Sequence, residues 1–170
     1  MDPFVYYSRS EAETAILGAA LAEVLPDGSV VALSGTLGSG KTRLVQAVAE
    51  AAGIDRRSVV SPTFVLAQEY RGRRTIYHLD AYRLRDEDEF LQLGPEEYFE
   101  ASGVTLVEWA DRVARCLPPE FLNVDIEVTG AQSRRFEISA HGESYAGVVG
   151  RLESRFPPGG SNPFPTSGVR

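Results

Sequence analysis

Eight consecutive residues, Gly35-Thr36-Leu37-Gly38-Ser39-Gly40-Lys41-Thr42, fill every fixed position of the pattern G-x-x-x-x-G-K-[ST]. Glycines let such a loop curl so that successive amide N–H groups point inward at phosphate oxygens. A helix opening at the lysine adds the positive end of its dipole. The Lys41 ammonium would then meet the β- and γ-phosphates of a nucleotide, and the Thr42 hydroxyl could ligate Mg²⁺. The predicted nucleotide-binding set is Gly35, Leu37, Gly38, Ser39, Gly40, Lys41 and Thr42, with Arg43 next along the helix.

Lys41 is also the only lysine. The other sixteen of the 17 cationic residues are arginine. An ammonium is a compact point charge and a guanidinium a planar fork, so the exception marks a place that needs the point charge. Net charge is −7, and nucleic acid is gripped by a basic face, so the chain is not expected to hold RNA on its own. No apolar run approaches the roughly 20 residues of a membrane span. The N-terminus lacks the basic start and apolar stretch of a signal peptide. One cysteine, Cys116, makes no internal disulfide and suits a reducing, cytoplasmic setting.

A nucleotide–magnesium site needs a carboxylate at the tip of a neighbouring strand. Glu108 closes the apolar run Val104-Thr105-Leu106-Val107, and Asp80 closes Ile76-Tyr77-His78-Leu79. Glu108 is assigned to the metal, and Asp80 to positioning the attacking water or a metal-bound one. Ser61-Pro62-Thr63 lies where many ATPases place a switch that orders around the γ-phosphate; an ordinary proline turn is the equal alternative. The catalytic set is therefore Asp80, Thr63 and Lys41. His78 reads as a satisfied strand histidine. Trp109, directly after Glu108, could pack in the core or stack near the site. Arg134 and Arg135 read as hairpin surface charges unless one reaches the nucleotide.

These residues need elements to hold them. Residues 4–7 form a short β-prone run. Ser10 and Glu13 then have capping-box spacing before a helix with apolar Ile16, Leu17, Ala20, Leu21, Val24 and Leu25. Residues 30–33 predict a buried strand and 41–52 the helix after the loop. Strands are expected at 59–60, 64–70 and 75–79, two short acidic helices at 86–93 and 95–101, and a central strand at 104–107. A helix over 110–117, antiparallel strands over 122–128 and 136–140, and a strand or helix over 145–156 complete a three-layer α/β domain of residues 1–156. Residues 157–170 turn to proline, glycine and serine without periodicity, which predicts an unstructured tail.

Taken in order, Gly35 to Thr42, Ser61-Pro62-Thr63-Phe64, His78-Leu79-Asp80-Ala81-Tyr82-Arg83-Leu84 and Val107-Glu108-Trp109 resemble the TsaE (formerly YjeE) family, over roughly residues 5–140. The chain departs from that family's usual loop at Thr36 and Ser39, and Ala81 replaces a larger apolar residue. The resemblance implies a P-loop NTPase-like fold around a mostly parallel sheet with added antiparallel strands. It implies ATP or ADP as ligand, Mg²⁺ on Thr42 and Glu108, and weak ATPase activity in making threonylcarbamoyladenosine in tRNA. The implied partners are TsaD and TsaB, which would hold the tRNA for a chain that is monomeric alone. By similarity Ser10 and Glu11 lie near the base with Arg134 close to it, and Ser61, Tyr82, Arg83 and Trp109 belong to the family's functional blocks. A P-loop small-molecule kinase is the alternative, with Arg71, Arg73 and Arg74 as the arginines of its lid. A guanine-specific switch is excluded, because its Asn-Lys-x-Asp motif would need a second lysine.

Overall fold

The computed structural model describes residues 1–61 and 66–156. In chain order the main elements are β1 (Phe4–Ser8), α1 (Glu11–Val24), β2 (Val30–Gly35), α2 (Lys41–Ala51), β3 (Ala67–Arg71) and β4 (Thr75–Asp80). Then follow α3 (Glu87–Gln92), α4 (Pro95–Phe99), β5 (Val104–Glu108), β6 (Phe121–Val128), β7 (Arg134–His141) and α5 (Ala146–Arg155). Among the described residues the strands form one sheet in the order β1-β7-β6-β2-β5-β4-β3. The central four, β6-β2-β5-β4, run parallel; β7 pairs antiparallel with both β6 and the edge strand β1, and β3 pairs antiparallel with β4 at the other edge. The expected mixed sheet is the one observed.

The central strands are apolar because both of their faces are covered. Val31 and Leu33 of β2 point into a core shared with Leu17 and Leu21 of α1, Leu44 and Val48 of α2, and Val148 and Leu152 of α5. Ala32, between them, points the other way, toward Phe90 of α3 and Ala110 and Val113. Helices thus cover both faces, and the result is three layers. Ser10 caps α1, its Oγ accepting from the Glu13 N–H at 3.2 Å. The return bond runs from the Arg9 N–H to the Glu13 carboxylate at 2.6 Å, one residue ahead of the cap. No described helix is long and apolar enough to cross a membrane.

One local expectation is corrected and two are sharpened. Val59 and Val60 are not a strand: Val59 ends the 3₁₀ turn Arg56–Ser58 and is buried as a loop residue, while Val60 is exposed. The segment Ala110–Cys116 is 3₁₀ rather than α, with non-helical backbone at Val113. Residues 145–156 resolve as a helix, preceded by the 3₁₀ turn Glu143–Tyr145. Pro62, Thr63 and Phe64 and the expected tail lie outside the described residues.

Candidate functional site

The glycine-rich loop joins the carboxyl end of β2 to the start of α2. Two of its glycines are required by geometry. Gly40, immediately before the helix, has φ +106°, a conformation that L side chains rarely adopt. A Cβ on Gly35 would lie 2.6 Å from both the Ile126 carbonyl oxygen and Ser39 Oγ. Lys41, the first residue of α2, is buried. Its Nζ donates to the Gly35 carbonyl at 2.7 Å, the Thr36 carbonyl at 2.9 Å and Ser39 Oγ at 3.3 Å. The same ammonium lies 3.7 Å from the centroid of the Trp109 ring. Burial lowers its pKa below the ordinary lysine value, opposed by the negative charges of Glu108, Asp111 and Asp80. It is a desolvated cation held by neutral dipoles and an aromatic face, with acids close by.

Both acids stand at the tips of adjacent parallel strands, where Asp80 and Glu108 are direct register partners, and both are buried. Glu108 Oε1 accepts from Thr42 Oγ1 at 2.6 Å and lies 2.8 Å from His78 Nε2. Asp80 Oδ2 accepts from Ser61 Oγ at 2.7 Å, and Oδ1 accepts from the Tyr82 N–H at 2.8 Å. The two carboxylates therefore have separate tethers, one to the helix after the loop and one to the segment around Ser61. A hydroxyl and a carboxylate in contact are the donor types that Mg²⁺ prefers. Among the described residues no group of three or more His, Cys, Asp or Glu side chains could hold a metal, so a cation here would complete its shell from ligand and water oxygens.

Trp109 is the only non-glycine with positive φ among the described residues, at +58°. A residue held in the left-handed region is a strained one, and this twist follows directly on Glu108. Its ring meets that of Tyr82 at 4.8 Å, and Tyr82 in turn takes a hydrogen bond from Arg112 on its carbonyl. Lys41, Thr42, Ser61, Asp80, Arg83, Glu108 and Trp109 line one hollow of about 340 Å³, with exposed Leu37 at its rim.

A second hollow, about 520 Å³, lies on the other side of the loop and is lined by Ser10, Glu11, Gly38, Arg43, Gln132 and Arg134 among others. Arg134 reaches from the start of β7 to donate to the carbonyls of Ser39 at 2.9 Å and Gly38 at 3.3 Å. It also donates to the carbonyls of Gly130 and Ser133 in its own turn. Arg43 borders both hollows; its Nη2 donates to the Glu11 carbonyl at 3.4 Å, while Nε and Nη1 are buried without a partner among the described residues. Arg135 pairs with Glu137 at 2.5 Å on the hairpin surface.

The structure thus brings together all the predicted site residues that lie within the described segments; Thr63 does not. Two features escaped the sequence reading. His78 is not fully satisfied, since Nδ1 is buried without a partner among the described residues while Nε2 faces Glu108. The signal was its place two residues before Asp80, on the same face of the strand. Gln132 in the second hollow carried no signal.

The sequence profile described as "Threonylcarbamoyl adenosine biosynthesis protein TsaE" matches residues 8–136. The chain belongs to the TsaE family. That match contains the loop, both acids, His78, Trp109 and Arg134, and ends before α5. Among TsaE relatives, the tRNA threonylcarbamoyladenosine biosynthesis protein TsaE of Bacillus subtilis is 41% identical over 134 residues, 78% of this chain and 83% of that protein. The corresponding TsaE of Treponema pallidum is 38% identical over 132 residues, 78% of this chain and 97% of its own length. The crystal structure of Bacillus subtilis YdiB superimposes with a TM-score of 0.75 at 31% identity, covering 89% of this chain and 95% of that one.

Proposed function

We propose that this TsaE-family chain binds ATP or ADP with Mg²⁺, hydrolyses ATP slowly, and serves the formation of threonylcarbamoyladenosine in tRNA together with TsaD and TsaB. The observation that carries the reading is the juxtaposition of a buried Lys41 in the loop with Thr42 Oγ1 on Glu108 Oε1 at 2.6 Å.

In this reading the loop amides and the α2 N-terminus receive the phosphates, and Lys41 exchanges its loop carbonyls for β- and γ-phosphate oxygens. Thr42 and Glu108 hold Mg²⁺, which when bound neutralises charge on the phosphates. Asp80, fixed by Ser61 and Tyr82, orients the attacking water, with Thr63, two residues after Ser61 in the sequence, as the switch residue. Trp109 and Tyr82 wall the phosphate end against solvent. Arg43 and Arg134, with Ser10 and Glu11, serve the base end, and Arg83 borders the phosphate hollow.

The relatives named above are tRNA threonylcarbamoyladenosine biosynthesis proteins, while a net charge of −7 weighs against this chain gripping tRNA unaided. TsaD and TsaB therefore hold the tRNA in a cytoplasmic complex, and hydrolysis resets them between rounds. The kinase alternative draws less support. Arg73 is tied to the Ala51 carbonyl, and Arg74 to Asp27 and the Ala22 carbonyl, at the opposite end of the strands from Asp80 and Glu108.

The test is repeated tRNA modification by purified TsaD–TsaB with ATP, with and without this chain. Multiple turnovers are expected only when it is present. Lys41→Ala should abolish both that stimulation and calorimetric ATP binding; undiminished ATP affinity in this variant would overturn the assignment.

A further inference from the structure

His78 is the buried group that the proposed chemistry leaves unused. It is fully enclosed in β4, two residues before Asp80 and on the same face. Its Nε2 lies 2.8 Å from Glu108 Oε1, the very oxygen that also takes the Thr42 hydroxyl. Its other nitrogen, Nδ1, is buried with no partner among the described residues. These facts decide where the ring hydrogen sits. On Nδ1 it would be a buried donor with no acceptor among the described residues, and a bare Nε2 lone pair would face a carboxylate oxygen. On Nε2 it has an acceptor at hydrogen-bond distance. His78 therefore donates through Nε2 to Glu108.

We propose that His78 is a positioning residue that holds the Glu108 carboxylate toward Thr42 in readiness for Mg²⁺. The inference rests on the reading above, in which Thr42 and Glu108 hold the ion. A carboxylate at a strand tip can rotate about its side-chain torsions. A ligand that engages the Thr42 hydroxyl removes one of the two donors on Oε1. The histidine remains, anchored by a fully packed strand, so the carboxylate keeps its aim at no further entropic cost. The unpartnered Nδ1 is the price of placing a ring there, since an ordinary core position would be filled by an apolar side chain with no orphan atom.

The experiment compares wild type with His78→Leu, which removes the donor, and His78→Gln, whose amide nitrogen can reach where Nε2 stands. His78→Asn is a second loss variant, polar but too short, should the leucine protein fail to fold. ADP affinity is measured by calorimetry in EDTA and across a Mg²⁺ titration, with a thermal melt for each protein. The expected result is that loss variants bind ADP in EDTA within about twofold of wild type. Their Mg²⁺ concentration for half-maximal effect should rise about tenfold or more, and His78→Gln should recover most of that shift. Equal Mg²⁺ midpoints in wild type and the loss variants overturn the inference while leaving the proposed function standing. Equal impairment of His78→Gln and the loss variants also overturns it, reducing His78 to packing. A wild type whose ADP binding ignores Mg²⁺ overturns the metal reading and this inference together.

Discussion

Asp80 and Glu108 are both buried acids at adjacent strand tips, and what separates them is their hydrogen-bonding company. Glu108 Oε1 is in contact with the hydroxyl of the residue that follows Lys41. Asp80 has its two oxygens engaged by Ser61 and the Tyr82 amide, and neither bond involves the residue after Lys41. Removing a ligand carboxylate and removing a water-orienting one have different consequences. Glu108→Ala should weaken Mg²⁺-dependent ADP binding by about tenfold or more, as loss of a direct ion contact does, whereas Asp80→Ala should lower hydrolysis with less change in that binding. Calorimetry with and without Mg²⁺, paired with a phosphate-release assay, reads both. The reverse order would mean that the two roles are exchanged. Neither acid's tether could be found from sequence, because the register that makes them neighbours is set by strands 28 residues apart pairing in parallel.

The β6–β7 turn stabilises an element distant in the chain. Arg134 bonds the carbonyls of Gly38 and Ser39 with one edge of its fork and those of Gly130 and Ser133 with another, so it fastens the hairpin to the glycine-rich loop. Charge-assisted hydrogen bonds contribute about 1.5–3 kcal/mol each. The bonds of Arg134 are at most partly buried and share one guanidinium, so together they are worth about one such bond. Arg134→Ala should therefore lower stability in urea unfolding by about 2 kcal/mol and loosen the loop enough to weaken ADP binding about tenfold. Arg134→Lys should not rescue, since one ammonium cannot span two sets of carbonyls. Neighbouring Arg135→Ala breaks solvent-screened pairs with Glu127 and Glu137 and should cost clearly less than Arg134→Ala. The sequence placed Arg134 near the base by resemblance, while its bonds to a loop 95 residues earlier are a product of tertiary packing. Elements whose environment is uniform read correctly: residues 30–33 are apolar throughout, and 104–107 are apolar but for Thr105, because both faces of those strands are covered. The misreadings fall where local propensity competes with packing. Val59 and Val60 are β-branched, but no strand edge is offered to them, and Val59 is buried by filling the core from a turn.

The described site residues of the phosphate hollow lie at the carboxyl ends of β2, β4 and β5, in the loops and first turn of α2 just beyond, or, for Ser61, in the segment that leads to β3; this is the usual place for a ligand on an open parallel sheet. The antiparallel strands and α5 support this arrangement from the side, and Tyr6 joins them. From β1 its ring packs against Phe136 of β7 at 6.3 Å and Phe156 after α5 at 5.0 Å. Its hydroxyl donates to the Glu13 carbonyl of α1 at 2.8 Å. Burial pushes the phenol pKa from 10.0 up to about 12, with the nearby Glu13 charge adding to the rise. Between those values the folded chain retains a proton that the unfolded chain has lost. The contribution to stability is therefore complete below pH 10.0 and is lost as pH rises through about 12. Its size is about 2 kcal/mol. Lys41, whose pKa is lowered by burial, acts in the opposite sense just below its ordinary value, so the wild-type curve alone would blur the two. The difference between wild type and Tyr6→Phe isolates the phenol. The variant should lose about 1 kcal/mol near pH 8, the value of one buried hydrogen bond. It should then decline less steeply than wild type between pH 10 and pH 12, so that urea-derived stabilities converge or cross at the alkaline end. Parallel curves over that interval would show that the phenol does not carry the alkaline transition, and that the β1–α1–α5 corner opens before Tyr6 ionises.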